Sequence, residues 1–146
     1  MKFTCTIEIN RPIDTVMGLF MNKDIYKHWK KDFISYENIS GIAGEVGAIT
    51  KLSFKRVTLF ETITLKRLPY EIEEEYEHKR GNKTIMIHRA TNQFIALSEN
   101  KTQYNVEFEM IKIFGLLPKI IMTLMAGAGR KYAQIQLNQF KAFAEK

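Results

Sequence analysis

Hydrophobic and polar positions alternate from the start of the chain, with Phe3, Cys5, Ile7 and Ile9 set against Lys2, Thr4, Thr6 and Glu8. That is the period of a half-buried strand. Over RPIDTVMGLF the period changes: Ile13, Val16, Leu19 and Phe20 make a helical stripe, and Pro12 suits its first turn. Asn22 to Asp24 breaks the stripe, and Asp24 is placed to cap a second short helix, DIYKHW, that buries Ile25 and Trp29. A strand is expected at 33 to 39, and GIAGEVGA follows it. This glycine-rich stretch lacks the terminal Lys-Ser/Thr of a Walker loop and does not open a helix, so it reads as a turn that needs positive φ.

From 48 to 112 the pattern is one of consecutive strands, with a weak break near Lys55 and Arg56. Leu59, Glu61, Ile63 and Leu65 alternate with threonines and Phe60, LPY turns the chain, and YEIEEEYEHK follows. In that stretch Tyr70, Ile72, Glu74, Tyr76 and His78 share one parity, while Glu71, Glu73, Glu75 and Glu77 take the other. The period is two, so the carboxylates are mostly a wet face. Glu74 and His78 are then roughly 13 Å apart at about 3.3 Å per residue, too far to share a metal ion. RGN and SENK make two further turns, and Tyr104, Val106, Phe108 and Met110 alternate with Gln103, Asn105, Glu107 and Glu109. An antiparallel meander with one wet and one covered face results.

The segment from about 116 to 145 has helical spacing, with Ala133, Leu137, Phe140 and Ala144 on one stripe. Its first half is apolar all round, rich in methionine (Met122, Met125) and loosened by Gly127 and Gly129. Such a half-helix can adapt to a ligand as a lid would, or serve as plain core contact.

Composition narrows the field without choosing a function. A length of 146 residues implies one domain, 1–146, with one core. The single Cys5 rules out an internal disulfide and a cysteine zinc cluster. The net charge of +6 comes from scattered Lys and Arg, so no nucleic-acid partner is expected. Without a secretory start the expected location is cytoplasmic. The stretch 113–129 contains Pro118 and Lys119 and is too short to span a bilayer.

The order strand, two short helices, six antiparallel strands and a long final helix resembles the helix-grip fold of the START-related (SRPBCC) superfamily, in particular its polyketide cyclase/dehydrase-like branch. The resemblance rests on IEINRPIDTVMGLF, the tryptophan in HWKKD, the turn GEVGA and the terminal QFKAFAEK, and it covers essentially the whole chain. It implies an α+β fold in which a seven-stranded curved antiparallel sheet grips the C-terminal helix around an apolar cavity. Members use that cavity to bind lipids, hormones or polyketides, and some catalyse cyclisation or dehydration. It supplies no catalytic residue and no cofactor.

If the covered face looks at the helix, the polar exceptions are Glu61, Glu74, His78 and the tyrosine hydroxyls. A turn pairing Leu65 with Tyr70 sets Glu61 opposite Glu74, with Cβ atoms about 4.5 to 5.5 Å apart, so one carboxylate should have a raised pKa. A two-residue Gly81-Asn82 turn sets Glu74 opposite Arg89, and a turn one residue earlier sets Arg89 diagonal to it. Either way Arg89 is the expected counter-charge, and His88 is expected to face out.

The candidate ligand-binding set is Glu61, Glu74, Tyr76, His78, Arg89, Tyr104, Phe108, Met122 and Met125, with no metal. It could orient the polar group of a hydrophobic small molecule, supply a general acid or base, or form a purely internal ion network. Contact with a membrane surface or a protein through the basic exterior and residues 116–129 is a third role.

Overall fold

The computed structural model describes residues 1–124 and 126–146, and the side chains of all of these except Pro118, Met122, Leu124 and Ala126. The chain runs β1 (Lys2–Ile9), α1 (Ile13–Met21), a 3-10 helix (Lys23–His28), β2 (Phe33–Ser40), β3 (Ile49–Phe54), β4 (Thr58–Arg67), β5 (Glu71–Arg80), β6 (Lys83–Ser98), β7 (Lys101–Ile113), α2 (Leu116–Leu124) and α3 (Ala126–Ala144). The seven strands form one open antiparallel sheet in the order β1-β7-β6-β5-β4-β3-β2. The expected α+β helix-grip architecture is present.

The short second helix differs from expectation. Asn22, not Asp24, caps it, its side chain accepting from the Asp24 amide at 3.0 Å. The helix is 3-10, so residues three apart share a face. That puts Lys23, Tyr26 and Trp29 together, with Tyr26 and Trp29 buried and Ile25 only half-buried. In GIAGEVGA the expected positive φ is found at Gly41, Gly44 and Gly47. At Gly41 an added Cβ would also lie 2.9 Å from the Ala48 Cα, so the turn needs glycine for space as well as for conformation.

Helix α3 packs its stripe of Ala133, Leu137, Phe140 and Ala144 on the sheet. Its end is tied to the β1 edge: the Asn10 amide donates to Glu145 Oε1 at 2.7 Å, Arg11 Nη2 donates to the Glu145 carbonyl at 2.7 Å, and Lys141 Nζ donates to the Glu8 carbonyl at 2.6 Å. Phe140 is fully buried and meets Trp29, Tyr104 and Phe20 with ring centroids 4.8, 6.0 and 6.3 Å away. It therefore joins helix, sheet and the 3-10 turn. Phe140→Ala should cost about 3 to 5 kcal/mol in urea denaturation, the range for a large core truncation that cannot collapse.

Candidate functional site

Between the inner face of the sheet and α3 lies a cavity of about 340 Å³. The sheet contributes Leu59, Tyr76, His78, His88, Tyr104 and Phe108, α3 contributes Tyr132, Ala133, Leu137 and Phe140, and the end of the 3-10 helix contributes Trp29 and Lys30. A largely apolar wall with a few convergent polar groups is the ordinary make-up of a small-molecule site.

The polar groups are gathered at Tyr76. Its hydroxyl lies 2.7 Å from Glu74 Oε2 and 3.2 Å from Glu61 Oε2. Asn92 Nδ2 donates to Glu74 Oε2 at 3.2 Å and to the Ile72 carbonyl at 3.3 Å, while Asn92 Oδ1 accepts from the Tyr104 hydroxyl at 2.7 Å. Lys23 Nζ sits 2.8 Å from Glu61 Oε1. Glu61 and Glu74 are only 1% and 2% exposed, so this is a buried network linking four strands, β4 to β7, and the 3-10 helix.

The two carboxylates do not face each other as the hairpin arithmetic expects. The turn is Leu68 to Tyr70, with Arg67 paired to Glu71 instead of Leu65 to Tyr70, and a bulge at Thr64 shifts the register by one residue more, so that Ile63 pairs with Glu74 and Glu61 pairs with Tyr76. Tyr70 also departs from expectation: it lies in the turn before β5 and is exposed.

Arg89 is a larger correction. Arg80 does pair with Lys83 across the Gly81-Asn82 turn, but Ile85 is an extra residue in β6, so Glu74 pairs with Ala90 and Arg89 pairs with Glu75. One inserted residue exchanges the faces of everything beyond it. Arg89 therefore leaves the site for the outer face, where its guanidinium lies 3.6 Å from Glu73, 3.4 Å from Glu75 and 3.7 Å from Glu109. His88, expected outside, turns in. It stacks on Tyr76 at 4.9 Å, and its Nδ1 is 2.7 Å from His78 Nε2.

The structure thus brings together Glu61, Glu74, Tyr76, Tyr104, His78 and Phe108 of the expected set. Met125 lies outside the described residues, as does the side chain of Met122. Helix α2 leaves Leu116, Leu117, Ile120 and Ile121 exposed. Lys23, Trp29, Lys30, His88 and Asn92 join the site from outside that set. The signal for Lys23 was its spacing of three from Tyr26 and Trp29, readable only for a 3-10 helix. Asn92 could have been found between Ala90 and Phe94 by parity alone.

Burial pushes the Glu74 carboxyl up to about 7, reinforced by the charge of Glu61 and opposed by Lys23, the Tyr76 hydroxyl and Lys30. Burial holds the Lys30 ammonium below the usual lysine range. Burial also raises the hydroxyls of Tyr26, Tyr76 and Tyr104 well above the usual range, so they act as neutral donors. His78 is lowered by burial to about 4, and His88 to about 3 by burial and then by His78 and Lys30.

These shifts oppose each other in stability. A carboxyl raised to about 7 stabilises the folded state fully below the unfolded value of 4.5, and that stability is lost as pH rises towards 7. The lowered imidazoles act in the other direction, costing stability as pH falls below 6.5. Comparison of wild type with Glu74→Gln isolates the carboxyl. The variant should gain on the order of 3 kcal/mol relative to wild type between pH 4.5 and pH 7, measured by urea denaturation at each pH.

No helix among the described residues is long and apolar enough to cross a membrane, and no three His, Cys, Asp or Glu side chains among them converge as metal ligands. No family model matches the sequence, and no curated protein matches it. Solved structures do share its shape. A conserved protein from Geobacillus kaustophilus superposes with a TM-score of 0.77 at 13% identity, over 99% of this chain and 95% of that one. An aromatase/cyclase from a Streptomyces species gives 0.76 at 14% identity, over 99% and 93%. A START superfamily protein from Mycobacterium smegmatis gives 0.74 at 9% identity, over 99% and 97%. Sheet order, terminal helix and these superpositions together place the chain in the helix-grip fold of START-related proteins.

Proposed function

We propose that the protein binds a hydrophobic small molecule, lipid- or polyketide-like, in the cavity between the sheet and α3, as a carrier or sensor. The observation that carries this reading is the cavity itself: about 340 Å³, walled mainly by aromatic and aliphatic side chains, with a cluster of hydrogen-bonding groups around Tyr76. Burial of apolar ligand surface supplies affinity, and the polar side fixes orientation. Native mass spectrometry of the purified protein, with identification of any small molecule that travels with it, tests the reading directly.

Filling the cavity gives a second test. Ala90 is buried and lines the cavity from β6. Ala90→Leu should weaken binding of an apolar fluorescent probe by about tenfold or more, while changing stability by no more than about 3 kcal/mol. Arg89→Met, on the outer face, should leave probe binding unchanged. Equal binding by wild type and Ala90→Leu would put the ligand elsewhere.

An enzymatic reading has one specific observation behind it. Glu74 is held near pKa 7 beside a tyrosine hydroxyl and an apolar cavity, which suits a carboxyl that both gives and takes a proton at neutral pH. An aromatase/cyclase has the same fold, and cyclisation or dehydration of a polyketide-like substrate is the chemistry to assay. Glu74→Gln should then lose about 100-fold or more in turnover while keeping substrate affinity. A carrier would show no turnover to lose.

A further inference from the structure

The polar groups on the cavity wall are almost all committed to one another. Tyr76 is bonded to Glu74, Tyr104 to Asn92, and His78 to His88. On α3, Gln136 donates to the Tyr132 hydroxyl at 3.1 Å, and Glu109, whose carboxylate is turned to the outer face, pairs with Arg89. Glu74 Oε1 and the unshared nitrogens of the histidine pair stay open, and two further side chains, both donors, have no hydrogen-bond or ion-pair partner at all among the described residues. The indole N–H of Trp29 is buried without an acceptor, although the residue is only 7% exposed. Lys30, next in sequence, forms no ion pair among the described residues, and its Nζ lies over the rings of Tyr26 and Trp29 at 4.5 and 4.8 Å. A buried N–H left without an acceptor costs free energy, and a half-buried ammonium against aromatic faces is attracted to the rings without being neutralised by them.

The same two residues also line a second space. A crevice of about 330 Å³ that shares Trp29 and Lys30 with the cavity is bounded by Lys27, His28, Lys31 and, from α3, Gln139, whose Oε1 is buried without a donor, and no Asp or Glu lines it among the described residues. Trp29 and Lys30 are thus the boundary between an apolar cavity and a basic crevice. Charge bookkeeping agrees. Lys23 is paired with Glu61, and whenever Glu74 holds its proton Lys30 is a cation in excess.

We propose that the cavity's ligand is an amphiphilic anion, an apolar body carrying one carboxylate or enolate-type oxygen, whose charged end is held by Lys30 and the Trp29 N–H where cavity meets crevice. This deepens the reading of the cavity as a ligand site and rests on it. The acceptor satisfies both donors at once, and the surrounding lysines draw the anion towards the boundary.

Decanoate and decanol share a ten-carbon chain and differ in charge, and Trp29, the one tryptophan of the chain, reports on the site by its fluorescence. Calorimetric and fluorescence titrations of wild type should give decanoate about tenfold or more tighter binding than decanol, the scale of one charge-assisted hydrogen bond. Lys30→Met should bring the two within about twofold by weakening decanoate alone. Lys30→Arg should keep the preference, and Lys27→Met should reduce it by less than about threefold. Equal affinities in wild type, with decanol bound, overturn the anionic ligand and leave the cavity reading standing. A preference for decanoate that survives Lys30→Met overturns the role of Lys30. Binding of neither probe removes the cavity reading and this inference with it.

Discussion

Ionised carboxylates donate no hydrogen bonds, so packing Glu61 and Glu74 at 1% and 2% exposure beneath a sheet requires donors from several directions. The fold supplies them from four places: Tyr76 on β5, Asn92 on β6, Tyr104 behind Asn92 on β7, and Lys23 on the 3-10 helix. Each donor has to sit at a fixed height along its strand, and the register of β4 through β7 delivers that. Desolvation is not fully offset even so, because Glu74 stays near pKa 7. A buried network of this kind is weak evidence for stability, since apolar residues of similar volume often do as well or better. Its position on a cavity wall gives it a use that stability does not.

How far this arrangement is legible in the sequence depends on where the two-residue period survives. Along β5 and β7 it runs unbroken through the site, and Ile72, Glu74, Tyr76, Tyr104 and Val106 all face inward as their alternation implies. Between strands it fails, because each bulge shifts parity by one and leaves little trace in composition. Ile85 resembles any other β-residue in KTIMIHRA, yet as an inserted residue it sends Arg89 out and brings His88 in. Between β4 and β5 the turn at 68–70 and the Thr64 bulge together set Glu61 against Tyr76 instead of Glu74, with both carboxylates still facing inward. The overall fold was readable because hydrophobic period and turn signals report on elements one at a time. The site was only half readable because it is assembled across strands.

The sheet also separates two electrostatic regimes. On its outer face Arg89 lies among Glu73, Glu75 and Glu109, at 3.4 to 3.7 Å and with each side chain about a third exposed, where water screens the pairs and each is worth little. On the inner face Lys23, Lys30, Glu61 and Glu74 interact with much less screening, and small changes in protonation matter. The histidine pair belongs to this inner regime: two half-buried rings, held neutral, share one hydrogen bond against Tyr76.

The cavity itself follows from side-chain size. Ala90 from the sheet and Gly129 and Ala133 from α3 place small groups where the neighbouring positions carry Tyr76, Phe108 and Phe140. Gly129 and Ala133 are four apart on one helix face, and even a Cβ added at Gly129 would reach the Phe3 ring at 3.7 Å. Native interiors are close-packed and hold few voids larger than a water molecule. A space of about 340 Å³ beside a core as dense in aromatic rings as Phe20, Phe94, Tyr104 and Phe140 is therefore not a packing accident. Larger side chains at these three positions could have filled it, and the sequence instead keeps it open next to Trp29 and Lys30, two donors without a protein partner among the described residues.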